Sequence, residues 1–167
     1  FHTTSYSVVD NCTFLNNKAE GTDGTINANG GGALYSLYAK NLFFKNCNFT
    51  SNGADRSSGT IGAKNGGALM LELSQGLLNI TKCNFTNNKA LGEVNGTFNI
   101  NTGCGGALIW TGSNGTVDNC NFINNSAAQN GGAVFLRGVL SDICDNTTFS
   151  NSHFENNTAG INGGAID

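Results

Sequence analysis

The chain of 167 residues contains no proline, and only 11% of its residues are charged. An ordinary soluble domain is about 25% charged and about 5% proline. Proline withholds a backbone donor and is kept out of central strands. Its absence beside 24 glycines fits a chain that commits nearly every N–H to a hydrogen-bonded ladder. Eight basic residues against 11 acidic ones give a formal charge of −3, and no basic stripe addresses nucleic acid. No apolar run reaches the roughly 18 residues of a membrane span. Phe1 begins neither with methionine nor with a signal-peptide pattern, which reads as a processed chain or an excised segment.

Asparagine, by contrast, is abundant at 28 residues, and it recurs with a period. One anchor is Phe-x-x-Asn, at Phe14/Asn17, Phe49/Asn52, Phe85/Asn88, Phe122/Asn125 and Phe154/Asn157. An alanine follows each of these asparagines by two residues: Ala19, Ala54, Ala90, Ala127 and Ala159. Two residues before each phenylalanine stands Cys12, Cys47, Cys83, Cys120 or, in the fifth copy, Ser152. The second anchor is Gly-Gly-Ala followed by an aliphatic residue, beginning at Gly31, Gly66, Gly105, Gly131 and Gly163. The phenylalanine-to-alanine distance between anchors is 19, 19, 22, 11 and 11 residues, so the segment between them is insertable. Its composition of glycine and polar residues is that of loops. Insertions are placed at about 20–29, 55–64, 91–103 and 138–147.

Segments such as Asn41–Phe49 and Leu77–Phe85 alternate in the manner of strands and show no helical period. A repeat of this size without helices is one turn of a parallel β-helix, with coils about 4.8 Å apart. The expected fold is all-β: a right-handed parallel β-helix of about five coils, 1–167 being a single segment. The hand follows from the crossover rule for parallel strands. Equivalent residues then stack. Phe14, Phe49, Phe85, Phe122 and Phe154 form one core column, and Cys12, Cys47, Cys83 and Cys120 another. An asparagine ladder can pass side-chain amide bonds along the stack. The glycine pair suits a corner that needs positive φ or has no room for Cβ.

The Gly-Gly-Ala and Phe-x-x-Asn pairs resemble the repeats of chlamydial polymorphic outer-membrane proteins. The resemblance covers all five repeats. It implies a β-helical passenger domain of the autotransporter type, associated with adhesion. The six cysteines and the many glycosylation sequons lie outside that resemblance. They direct the reading toward a eukaryotic or environmental surface or fibre protein with such repeats.

Nine sequons occur, at Asn11, Asn48, Asn79, Asn84, Asn95, Asn114, Asn124, Asn146 and Asn156. An N-glycosylation sequon marks surface in a secreted protein. Asn48 and Asn84 precede inward phenylalanines and should point outward, whereas Asn95, Asn114 and Asn146 fall in loop-like stretches. An even number of cysteines is compatible with an oxidising compartment. The stacked cysteines have parallel Cβ vectors, poor geometry for bridging, and are read as thiols. Cys104 and Cys144 break the pattern and are the candidate disulfide.

No Cys-x-x-Cys or histidine cluster is present, so no metal site and no cofactor are assigned. The acidic residues form no recurring column, and the closest pair, Asp142 and Asp145, sits in an insertion. Glycoside cleavage needs two carboxylates about 5–10 Å apart, so no catalytic residue is assigned and no enzymatic activity is expected. Tyr35, Met70, Trp110 and Phe135 follow their Gly-Gly-Ala alanines and are read as packing under the insertions.

Joining Asp167 to a second Phe1 would set the next phenylalanine 16 residues after Ala165, within the internal spacings of 16, 17, 15 and 21. The expected role is therefore structural: an extracellular, cell-surface solenoid forming the core of a glycosylated filament. Its partners are copies of itself, end to end, and N-linked glycans. The rival is an adhesin-like stalk that binds a host or matrix partner.

Overall fold

The computed structural model describes residues 5–22, 30–58, 65–92, 103–112, 114–138 and 146–167. They form strands and connecting turns, with no helix among them. The first repeat carries β1 (Tyr6–Asp10), β2 (Thr13–Leu15) and β3 (Lys18–Thr22). The second carries β4 (Leu34–Lys45), β5 (Asn48–Thr50) and β6 (Gly53–Ser58). The third carries β7 (Leu69–Thr81), β8 (Asn84–Thr86) and β9 (Lys89–Ala90). In the fourth, the first strand is split into β10 (Leu108–Thr111) and β11 (Asn114–Asp118), followed by β12 (Asn121–Ile123) and β13 (Ser126–Ala127). The fifth is split likewise into β14 (Val134–Arg137) and β15 (Thr147–Ser150), then β16 (His153–Glu155) and β17 (Thr158–Ala159).

Every pairing joins one repeat to the next, and every pairing is parallel. Three sheets result. One stacks β2, β5, β8, β12 and β16, a second stacks β3, β6, β9, β13 and β17, and the long strands make a seven-stranded third. The molecule is a parallel β-solenoid. Its second, third and fourth turns are stacked on both sides; the first and last each have one neighbour.

Alternation decides what faces inward. Leu42 and Phe44 of β4 are buried while Lys45 is exposed, and Leu78 and Ile80 of β7 are buried under the same rule. The core is continuous through the stack and includes Phe49, Phe85, Phe122, Leu69, Leu108, Trp110 and Val134. Trp110 is fully buried. A Cβ at Gly115 would lie 2.7 Å from its indole, so the glycine makes room for the ring. Ile109, on the opposite face of β10, is only 2% exposed, and Met70 only 4%, so that stretch is covered on both sides.

The strand ends depart from the expected insertions. β3 runs to Thr22 and β6 to Ser58, inside the segments assigned to loops at 20–29 and 55–64. Glu20 pairs with Asp55 and Gly21 with Arg56 before the register shifts. Backbone pairing needs no apolar side chain, so polar strands of matched length continue where composition alone reads as loop. The fourth insertion, placed at 138–147, closes one residue early because β15 begins at Thr147. The third, 91–103, is pinched at its base. Leu91 N donates to Ala54 O at 3.1 Å, and a Cβ on Gly103 would meet Gly92 Cα at 2.8 Å.

The glycine pairs carry a tight corner. Gly66 has φ +63, and a Cβ there would lie 2.1 Å from Leu69 O. A Cβ on Gly67 would lie 2.0 Å from Gly106 O on the next coil.

Candidate functional site

The repeat produces columns, and the columns are what the molecule offers chemically. The phenylalanine rings stack with centroids 4.7 Å (Phe14–Phe49), 4.8 Å (Phe49–Phe85), 4.7 Å (Phe85–Phe122) and 4.8 Å (Phe122–Phe154). The rings lie within 4° of parallel. The inner three are fully buried, and Phe14 and Phe154 are half-buried.

Beside them runs a ladder of inward asparagines. Asn17 Nδ2 donates to Asn52 Oδ1 at 2.9 Å, and Asn52 Nδ2 to Asn88 Oδ1 at 3.0 Å. Asn88 Nδ2 donates to Asn125 Oδ1, and Asn125 Nδ2 to Asn157 Oδ1, both at 3.0 Å. The second hydrogen of each Nδ2 goes to the phenylalanine carbonyl of the preceding coil: Asn52 to Phe14, Asn88 to Phe49, Asn125 to Phe85 and Asn157 to Phe122. Backbone N–H groups of Asn17, Asn52, Asn88 and Asn125 complete the set on the same Oδ1 atoms. Buried amides with every donor engaged specify register as well as stability.

Two further asparagine-rich columns turn the chain at the corners. Asn11, Asn46, Lys82, Asn119 and Asn151 all have φ between 47° and 53°. Asn16, Ser51, Asn87, Asn124 and Asn156 have φ between 52° and 57°. Asparagine tolerates this left-handed region better than other residues with a side chain. Sequence reasoning located positive φ at the glycine pairs and missed these corners; the signals were the recurrent asparagine before the cysteine column and the recurrent Asn-Asn doublet.

The cysteine column lies at the first of those corners. Cys47 and Cys83 are fully buried, Cys120 nearly so, and Cys12 is partly exposed. All four are thiols. Each donates to a carbonyl two residues back, Cys47 to Lys45 O at 3.1 Å and Cys83 to Thr81 O at 3.3 Å. Cys83 Sγ accepts from Cys47 N and Cys120 Sγ from Cys83 N, both at 3.4 Å. Ser152 continues the column by accepting from Cys120 N at 3.1 Å. The Cys120 thiol hydrogen-bonded to Cys83, together with burial, pushes the Cys83 thiol far above the ordinary thiol range. Of the candidate disulfide, Cys104 is buried, and burial pushes its thiol up as well. Cys144 lies outside the described residues.

The sequons are distributed over the outer surface. Asn48 and Asn84 are exposed on adjacent coils and joined by a hydrogen bond, Asn84 Nδ2 to Asn48 Oδ1 at 2.9 Å; Asn121 extends this outer ladder to Asn84 at 2.7 Å. Asn11, Asn124 and Asn156 are exposed at left-handed corners. Asn114 and Asn146 are exposed too, and Asn146 N donates to Asn114 Oδ1 at 3.3 Å. Asn114 opens β11 instead of sitting in a loop, because it is the first residue to pair with β7. Asn79 is half-buried within β7, and Asn95 lies outside the described residues.

Two carboxylates on the outer face have close partners. His153 Nε2 stands 3.1 Å from Glu155 Oε2 on the outer face of β16. Asp118 Oδ1 accepts from Ser150 Oγ at 2.6 Å and Asn151 Nδ2 at 2.9 Å, and these bonds hold its carboxyl below the usual carboxylate range. Among the described residues no group of three His, Cys, Asp or Glu could hold a metal ion, and no helix is long and apolar enough to cross a membrane.

The model of the Chlamydia polymorphic membrane protein repeat matches this chain at residues 11–37, 119–137 and 151–167. Each matched segment contains both a Phe-x-x-Asn and a Gly-Gly-Ala anchor. The resemblance carried by those anchors is therefore found at three of the five repeats. No curated protein and no solved structure matches the chain.

Proposed function

We propose that this chain is a length of an extracellular structural rod, without enzymatic activity, that continues end to end with further coils of its own kind and bears N-linked glycans. The observation that carries this reading is the uninterrupted register of the columns. Phenylalanine, inner asparagine and the short strands run through all five repeats without a change of pairing. A repeat whose rings and amides keep one register from coil to coil can be lengthened by further coils of the same kind, on the same polypeptide or on a second copy. A contact of that head-to-tail kind does not close and gives an open filament. Placement at a cell surface accords with the polymorphic membrane protein repeat, and the exposed sequons supply attachment points for glycans that keep a weakly charged wall in solution.

Electron microscopy of the native material with Fourier analysis tests the reading. Five coils at about 4.8 Å each predict filaments with an axial repeat of roughly 24 Å. Isolated short rods would refute end-to-end continuation and favour the adhesin-like stalk. Glycosidase treatment followed by mass spectrometry checks the glycans, and unmodified asparagine at all the exposed sequons would remove them from the proposal.

A further inference from the structure

One corner of the stack departs from its repeat on the outer side. The positions flanking the inner ladder asparagine are Asn16 and Lys18 in the first repeat, and Asn87 and Lys89 in the third. In the second they are Ser51 and Gly53. The register sets Lys18, Gly53 and Lys89 in one column. Both changes are locally unfavourable. Ser51 holds φ 55°, a conformation better suited to asparagine. Gly53 opens β6 without a side chain to pack, yet its backbone does not require glycine: its φ is not positive, and a Cβ would meet only Lys89 O, at 3.8 Å. Local rules broken together, with no structural return, mark functional positions.

Their joint effect is a notch of about 360 Å³ lined by Lys18, Ser51, Gly53, Asn87, Lys89 and Leu91. We propose that this notch is a binding site for a saccharide carrying a single carboxylate or sulfate group. Lys18 and Lys89 lie one coil to either side of Gly53, so their backbones stand about 9.6 Å apart, enough to admit an acid group between two ammonium-bearing chains. Lysine serves such groups as a point charge. The Ser51 hydroxyl and the exposed Asn87 amide supply partners for ring hydroxyls, and Leu91, 42% exposed, offers an apolar wall to the C–H face of a sugar. The same corner column carries sequons at Asn124 and Asn156, but none at Asn16, Ser51 or Asn87. The coils that form the notch are the ones this column leaves without an attachment point for glycan.

The test is amide NMR titration of the full chain with N-acetylneuraminate, galactose 6-sulfate, galactose and inorganic sulfate. Shifts at Ser51, Gly53, Asn87 and Lys89 with at least one acid sugar, and none with galactose, are expected; which acid sugar binds separates the carboxylate from the sulfate ligand. Lys89→Gln should weaken binding by about tenfold. Gly53→Lys sets a third lysine between Lys18 and Lys89 and fills the notch, so it should abolish binding while leaving the unfolding midpoint unchanged or higher. The proposal fails if neither acid sugar produces shifts, if galactose or inorganic sulfate alone produces the same shifts, or if Gly53→Lys binds as the parent does.

Discussion

Asn88 and Asn125 are both fully buried, and the side-chain amide of the first donates to the Oδ1 of the second at 3.0 Å. Asn88 Oδ1 also receives the N–H of Asn52 and its side-chain amide. Replacing Asn88 with alanine strands several buried donors at once, each costing about 1–3 kcal/mol. Asn88→Ala should therefore lose about 3 kcal/mol or more in guanidinium unfolding, whereas Asn17→Ala, at the exposed first rung, should lose well under half of that. Equal losses would show that the inner ladder is not what the asparagines contribute.

The ring stack predicts a second graded pair. Phe85 sits between Phe49 and Phe122, so Phe85→Ala should cost about 3–5 kcal/mol. Phe14, stacked on one side only and half-buried, should tolerate alanine with a smaller loss. Thermal unfolding of the two variants under one set of conditions checks the order.

Lys82 occupies a left-handed corner, φ 53°, where the other repeats place asparagine. Lys82→Asn should raise stability by about 0.5–1 kcal/mol, since asparagine adopts this conformation at lower cost. An unchanged or lowered unfolding midpoint would refute the role assigned to the corner column.

The thiol column has a pH signature. Cys83 in the folded protein holds its proton more tightly than it would in the unfolded chain, through the Cys120 thiol and burial. Its folded pKa is raised, so the associated stability is fully present below the unfolded value of about 8.5 and declines as pH rises above it. The same bond moves the Cys120 thiol the other way, so the readout is the difference between variants: the unfolding midpoint should fall less between pH 7 and pH 10 in Cys83→Ala than in the parent. In alkylation of the native protein, the partly exposed Cys12 should react before Cys83.

Asp118 acts in the opposite sense. Hydrogen bonds from Ser150 and Asn151 lower its pKa, so its contribution is present above the unfolded value of about 3.9 and is lost as pH falls through the folded one. Ser150→Ala should move the Asp118 carboxyl titration, followed by carbon-13 NMR, upward toward the unfolded value. A titration that stays in place would mean that the 2.6 Å contact does not hold the charge.

The solenoid and its columns were legible in the sequence because a repeating coil writes each buried position several times. Phe14 through Phe154 and the inner asparagines needed only alignment. The two corner columns were not legible, because asparagine also fills the inner ladder and the outer row at Asn48 and Asn84, and one letter served three environments. Strand ends near Thr22 and Ser58 were misread because glycine and charge there look like loop, while pairing between neighbouring coils depends on the backbone. The place of Trp110 depends on Gly115, five residues further along the chain, a relation that alternation alone does not contain. The notch at Gly53 is a departure from the pattern in one coil, and a search for periodicity passes over it.

The inner ladder also gives the stack a direction. Between side-chain amides the donation always runs one way, from Nδ2 of one coil to Oδ1 of the coil that follows, from Asn17 through to Asn157. An inverted neighbour would set amide nitrogen against amide nitrogen, or oxygen against oxygen. A rod grown from such coils is polar, as a row of aligned dipoles is, and its two tips are chemically unlike. Additions at the leading tip and at the trailing tip are then different reactions, free to proceed at different rates.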